Sequence, residues 1–396
     1  MAPRSLEKSV ALVVCGKFHY FNYAKLLARA GVLKQFCYSH RLNADPKLGT
    51  AASGENLWWK EYAYHAHLRL FGVAGLSRLE RVYHGLWKFQ LKRVLEPVPI
   101  VHFLLHGNCL GAIRRSRIQG SVIIADAVNS HPSDYFSLID GEYQDLGLPL
   151  PKRGVTAESA IYEEIALADR ILVPSVFVEK SYLKHGIAAE KIRRINYGAN
   201  LSDFCPLAKT GQVGHRAPFR VVVSGQVTPR KGIQYLLRAW KTLRLPDAEL
   251  HFFGAMQRDV MPALRQIGAS NVHFHGAVSR NKLIAEMQQS DLLVLPTVED
   301  GFGIVILEAL ACGLPVIATV NSGGPDLLAD GRAGFVVPIR SVEHLAEKIE
   351  WCYRYRDEAE EMGRAGRILV EDKYTWEGYA EKLIAYYAEC LNCQTD

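Results

Sequence analysis

Residues 295–328 read LPTVEDGFGIVILEALACGLPVIATVNSGGPDLL, and this stretch decides the fold. A short apolar run ends at Pro296 and reads as a strand. Asp300, Gly301, Phe302 and Gly303 then make a tight loop. A helix begins near Gly303 and ends at Gly313, with Pro315 just beyond, as a left-handed C-terminal cap requires. PVIAT follows as the next strand. Strand, tight turn, helix, strand is the repeating unit of a parallel sheet covered on both faces. The start of such a helix presents unpaired N–H groups and a partial positive charge, which suit a phosphate. Gly301 and Gly303 are expected to let a ligand approach the backbone. Asp300 stands before the helix and Glu308 lies one to two turns inside it. One acid can meet a sugar hydroxyl, the other a ribose hydroxyl.

The same rhythm extends in both directions. Upstream, FRVVVSGQ (219–226), the helix GIQYLLRAWKTL, ELHFFGA, VHFHG and DLLVLPT alternate strand and helix; further back, VALVVCG, PIVHFLLHG, SVIIADAV and ADRILVPS do the same. The rhythm pauses over GANLSDFCPLAKTGQVGHRAP (198–218), a Gly- and Pro-containing stretch without periodicity that reads as a linker. The expectation is an α/β protein of two Rossmann-like, doubly wound parallel-sheet domains facing each other across a cleft. The boundaries read as 1–205, 206–375, and a closing segment 376–396 whose WEGYAEKLIAYYAECL is an amphipathic helix.

A second block, VVVSGQVTPRKGIQYLLRAW (221–240), ends a strand at Gly225 and carries Arg230 and Lys231 at the start of a helix. Two cations there can clamp a diphosphate, each charge-assisted contact contributing about 1.5–3 kcal/mol.

Taken together, these residues resemble the retaining glycosyltransferases of family four (glycosyl transferases group 1), which have the GT-B fold. The segment from Pro296 to Thr319 carries that family's pair of acids with seven residues between them, with Asp300 where the family has Glu. The resemblance implies that Glu308 binds the ribose of a nucleotide and Asp300 the donor sugar. It implies that the amides of Phe302, Gly303 and Ile304 hold sugar and phosphate, and that Lys231 holds the diphosphate. The family's arginine falls on Gln226 here, and Arg230 is the cation that can replace it. Base recognition falls on His275, Gly276 and Val278. The loop CGKFHYFNYAK, with Gly16, Lys17 and His19, takes the place of the family's glycine-rich first loop. A subset of the family carries a serine–histidine pair after the strand 121–128, which makes His131 the cleft histidine, with His106 as runner-up. The final helix is implied to cross back to the first domain.

The implied function is transfer of a sugar, with retention, from a nucleoside diphosphate sugar to an acceptor hydroxyl on a glycan, lipid or small molecule. No cofactor and no metal are expected, since no Asp-x-Asp pair is placed for an ion. A sugar-nucleotide epimerase on the same scaffold and a non-catalytic nucleotide-sugar or glycan binder are the alternatives. A nicotinamide enzyme is disfavoured because no G-x-G-x-x-G follows a strand.

Composition sets the outer limits. The chain has 396 residues, 49% hydrophobic and 22% charged, with a net charge of +6. That balance suits an anionic ligand or surface and does not argue nucleic acid. The eight cysteines are scattered and Cys390-x-x-Cys393 has no second pair, so a reduced, cytoplasmic protein is expected. Residues 57–95 combine seven Lys and Arg with two acids and several Trp and Tyr. They fit either helices lying on an anionic bilayer, at the inner face of a membrane, or core helices with a solvated basic face. The oligomeric state is left open.

Overall fold

The computed structural model describes residues 6–16, 18–40, 48–71, 76–151, 155–207 and 218–392. Lys17, Cys393 and residues 208–217 of the expected linker lie outside the described residues. Two all-parallel sheets divide the chain. The first contains β1 (Val10–Val14), β2 (Leu33–Tyr38), β3 (Ser53–Asn56), β4 (Ile100–Leu104), β5 (Val122–Asp126), β6 (Arg170–Val173) and β7 (Ile192–Arg194), in the order β3-β2-β1-β4-β5-β6-β7. The second contains β8 (Phe219–Ser224), β9 (Ala248–Phe253), β10 (Val272–Gly276), β11 (Leu292–Leu295), β12 (Val316–Thr319) and β13 (Gly334–Val337), in the order β10-β9-β8-β11-β12-β13. In both, strand order reverses beside the first strand, which places a ligand crevice at the carboxyl ends of β1 and β4 and of β8 and β11.

The central strands are uniformly apolar because helices cover both faces: every residue of β1, β4, β5, β11 and β12 is buried. β3, reading SGEN, is polar and half-exposed because it sits at an edge with nothing to bury against. The helix Ile233–Leu243 shows the complementary pattern, burying Ile233, Leu236, Leu237 and Trp240 on one side.

The last helix, Trp376–Asn392, packs on the helix Tyr20–Arg29 of the first sheet and buries Trp376, Tyr379, Leu383 and Tyr387 there. The Tyr387 hydroxyl lies 2.6 Å from His102 Nδ1 in the middle of β4. Burial lowers His102 to a pKa of about 4, so its ring is neutral against that hydroxyl.

The two halves are also tied directly. Glu142, fully buried on the helix Pro132–Asp145, accepts hydrogen bonds from Gln234 (2.5 Å), Tyr235 (2.8 Å) and Arg340 (2.6 Å) across the interface. A buried carboxylate satisfied three ways costs far less than a bare one, and removing any partner leaves it short.

Candidate functional site

The two blocks singled out in the sequence face each other. The Pro229–Lys231 turn docks on the segment after β11, where the Val298 amide donates to the Arg230 carbonyl (2.9 Å) and Thr297 Oγ1 donates to the same oxygen (3.2 Å). Gly232 permits this approach. It has φ +68°, and a Cβ there would stand 1.8 Å from the Pro296 carbonyl oxygen. This docking sets the Lys231 ammonium directly against the Asp300 carboxylate. Burial alone would raise Asp300; Lys231, Arg230 and the Phe302 amide outweigh it and hold the carboxyl ionised.

Arg230 has its own partner within the protein. The sequence offered it as a second diphosphate cation, but its Nη1 donates to the carboxylate (2.9 Å) and carbonyl (2.8 Å) of Glu299. Glu299 is fully buried and also accepts from the amide (3.0 Å) and hydroxyl (3.1 Å) of Ser130 in the first half. Arg230 therefore balances an inter-sheet bridge. Burial works against its charge, and Glu299 and Asp300 more than restore it.

The role expected of Gly301 also changes. A Cβ at 301 would stand 1.8 Å from the Val128 carbonyl oxygen, so the residue is small to let the first half's backbone in, not a ligand. Its own carbonyl accepts from Ser175 Oγ (2.5 Å). Gly303 takes φ +73° as the cap before the helix Ile304–Ala311, packed over Leu295. Phe302 is buried edge-on to Tyr197. What remains available at this turn is the row of free N–H groups at the helix start, around Gly303 and Ile304.

Glu308 lies one turn inside that helix, its carboxylate 3.6 Å from Arg280 Nη1. Burial raises its pKa to about 7 although Arg280 pulls the other way. Val278, on the loop after β10, is half-buried against the core. Gly225 ends β8 below the Lys231 side chain. Gly16 follows β1 with φ +126°, beside the Phe18 ring, and that ring meets His106 at 5.5 Å.

His131 does a different job from the one expected. It caps the helix Pro132–Asp145, its Nδ1 accepting from the Ser133 amide (3.4 Å). Its ring stacks on His185 at 4.2 Å. Burial, then His185, lowers its pKa to about 4, so it is neutral as an accepting cap must be. The histidine that does line a cavity at the ends of β4 and β5 is His106, beside Ser130, Tyr135 and Tyr182, in a space of about 110 Å³. Burial lowers His106 to about 4 as well. Tyr135 lies close enough to Arg230, Glu299 and Asp300 for their charges to act on its hydroxyl, which burial raises. The cavity thus adjoins the Lys231–Asp300 pair. A larger cavity, about 690 Å³, opens between Pro206, Gly313 and Arg364 and shares no lining residue with it.

Three features escaped sequence reading. Glu299, one residue before the pair that the spacing singles out, is with Glu142 an acid that joins the halves. His19 Nε2 bonds Asp126 Oδ2 at 3.0 Å, both buried, and the His19 ring packs at a tilt against Tyr197, centroids 4.3 Å apart. This braces the loop after β1 against Phe302; Asp126 at a strand end was the available signal. Glu164 is a third. It is fully buried and accepts from the amides of Gly107 (2.7 Å) and Cys109 (2.6 Å).

The family described as glycosyl transferases group 1 matches residues 212–369, which hold Arg230, Lys231, Asp300 and Glu308. Residues 212–369 belong to the glycosyl transferases group 1. A GDP-mannose-dependent alpha-(1-6)-phosphatidylinositol monomannoside mannosyltransferase of Mycobacterium tuberculosis is 32% identical over 191 residues, 45% of this chain and 49% of that protein. A D-inositol 3-phosphate glycosyltransferase of Segniliparus rotundus is 27% identical over 81% of this chain and 70% of its own length. The chain spans about half the length of several curated relatives it matches. Among solved structures, Anabaena HepE in complex with UDP and glucose superposes with a TM-score of 0.68 at 16% identity, covering 96% of this chain and 99% of that one. The fold is therefore GT-B, and its group 1 half carries the site.

Proposed function

We propose that the chain transfers a sugar, with retention and without a metal, from a nucleoside diphosphate sugar to an acceptor hydroxyl. The observation that carries this reading is the docking of the Pro229–Lys231 turn on the segment 296–301. It sets one mobile cation, one ionised acid and the open amides of a helix start around a single point. The costly event in transfer is the negative charge that grows on the departing β-phosphate. Lys231 exchanges Asp300 for that phosphate, and the amides at 303–304 meet it where it develops. Asp300, released, accepts a hydroxyl of the donor sugar while the sugar becomes oxocarbenium-like. Glu308 accepts the ribose hydroxyls.

The GDP-mannose-dependent relative of Mycobacterium tuberculosis makes GDP-mannose the first donor to try. In a melting assay, a nucleotide at about 100 times its Kd adds about 2.7 kcal/mol of stability. GDP, UDP and ADP and their sugars should separate on this scale. The response should depend on pH through Glu308: the ribose hydroxyls need the ionised carboxylate, so affinity should rise from pH 6 to pH 8, across its pKa of about 7. Glu308→Gln should flatten that rise. Absence of any nucleotide response would overturn the reading. Proton NMR of the product decides retention, and donor turnover without acceptor would favour an epimerase.

We also propose that the acceptor is met at an anionic lipid surface. No described helix is long and apolar enough to cross a membrane. The paired helices Trp59–Phe71 and Leu76–Val94 bury Trp87 but leave Trp58, Trp59, Val82 and Phe89 exposed, with Leu70 at 73% and Phe71 at 65%. Arg69, Lys88, Lys92 and Arg93 are exposed on the same two helices. Apolar rings among cations match the boundary of a bilayer with acidic headgroups. The protein should co-sediment with phosphatidylglycerol vesicles and not with phosphatidylcholine vesicles. Replacing Leu70 and Phe71 by Ser should abolish sedimentation without altering nucleotide binding; equal sedimentation of both proteins would remove the surface from the proposal.

A further inference from the structure

At the free edge of the second sheet, away from Lys231 and Asp300, three metal-ligating side chains converge. β10 is the edge strand and β9 its only neighbour in that sheet. His251 and His273 are register partners across the pair, so their rings stand on one face and stack at 4.7 Å. Glu249, two residues before His251, shares that face. One ligand atom from each of Glu249, His251 and His273 lies within 4.8 Å of the other two. A third imidazole completes the group: His275 Nε2 is 3.0 Å from His251 Nδ1, while His251 Nε2 is 3.0 Å from Glu249 Oε2.

We propose that Glu249, His251 and His273 form a binding site for a borderline divalent transition metal, with Zn²⁺ as the type ion. The donor set decides the class. Two imidazoles and one carboxylate suit Zn²⁺, Ni²⁺ or Cu²⁺; Mg²⁺ and Ca²⁺ take oxygen ligands. Three protein ligands leave a tetrahedral ion one position for water, and the exposure of His273 gives that position to solvent. His275 supplies what a ligating histidine needs behind it. When His251 offers its Nε2 lone pair to the ion, its proton resides on Nδ1, and His275 Nε2 is in place to accept it. That contact fixes the tautomer and the ring plane. The nearby cation, Arg220, lies 3.9 Å from Glu249, but its guanidinium is held by Glu286 at 3.0 Å, so the group does not face an uncompensated positive charge.

The ion would staple β10 to β9 just below the loop that begins at Gly276. Its binding is independent of sugar transfer, and it is tested with Zn²⁺ alone on the full chain carrying no histidine tag. Calorimetry should give one ion per chain, and the melting temperature should rise with Zn²⁺ and fall back with chelator. His273→Ala and Glu249→Gln, at exposed and half-exposed positions, should each weaken binding by about 10-fold or more while the metal-free melting temperature stays that of the parent. Co²⁺ should bind with visible d–d bands and no thiolate charge-transfer band. Unchanged affinity in His273→Ala, a thiolate band, or no binding at micromolar ion would each overturn the site.

Discussion

Lys231→Met should lower kcat for sugar transfer by about 100-fold or more, the scale on which loss of one preorganised donor to a developing oxyanion is felt. The substitution also leaves the half-buried Asp300 carboxylate without its ammonium, which costs stability in its own right. The two effects separate in a double-mutant cycle with Asp300→Asn. If Lys231 serves only the fold, Lys231→Met/Asp300→Asn should regain the melting temperature and turn over as fast as Asp300→Asn alone, since no bare charge remains. If it neutralises the departing phosphate, the double variant should melt like the parent and remain far slower than Asp300→Asn. A double variant with the kcat of Asp300→Asn would remove Lys231 from the chemistry.

Gly301→Ala should be nearly as damaging by a different route. Its Cβ would stand 1.8 Å from a backbone oxygen of the first half, which no rotamer change can relieve. Overpacking of this kind costs about 1–3 kcal/mol when the structure must absorb it. Here the contact lies between the two halves, so the molecule can escape by parting them. That separation removes Ser130 from Glu299 and Ser175 from the Gly301 carbonyl. The expected result is a fall of 10-fold or more in kcat/KM, about 1.4 kcal/mol, with a melting temperature within a few degrees of the parent. A large loss of melting temperature at parental kcat/KM would show that the contact matters to the fold alone.

Much of the architecture was legible because parallel strands buried on both faces declare themselves as continuous apolar runs. VALVV, IVHFL, VIIAD and VIAT each became a strand of uniform burial. Four strands went unread: β3, β7 and β13, which stand at sheet edges, and β2, whose LKQFCY interrupts its apolar run with Lys34 and Gln35. At the site, glycine spacing and the basic turn located the right two loops, since both are local signals. Their assignments within the loops were less legible. A glycine needed for a ligand and one needed for a neighbouring backbone look alike in sequence, as Gly301 shows. Arg230 and Lys231 are adjacent and alike, yet one answers Glu299 and the other Asp300. The edge histidines leave no local motif, because His251 and His273 become neighbours only through strand register.

The helix Trp376–Asn392 has a consequence for biogenesis. It supplies Tyr387 to a bond with His102, 285 residues earlier, and closes the core around Tyr20, Tyr23 and Leu27. Ribosomes add about 5–20 residues per second, so the first half, whose last strand ends at Arg194, waits roughly 10–40 s for its last packing partner. During that interval an aromatic-rich surface stands uncovered on one face of the sheet, a natural client for holdase chaperones. The protein is made from front to back, but its first lobe is finished last.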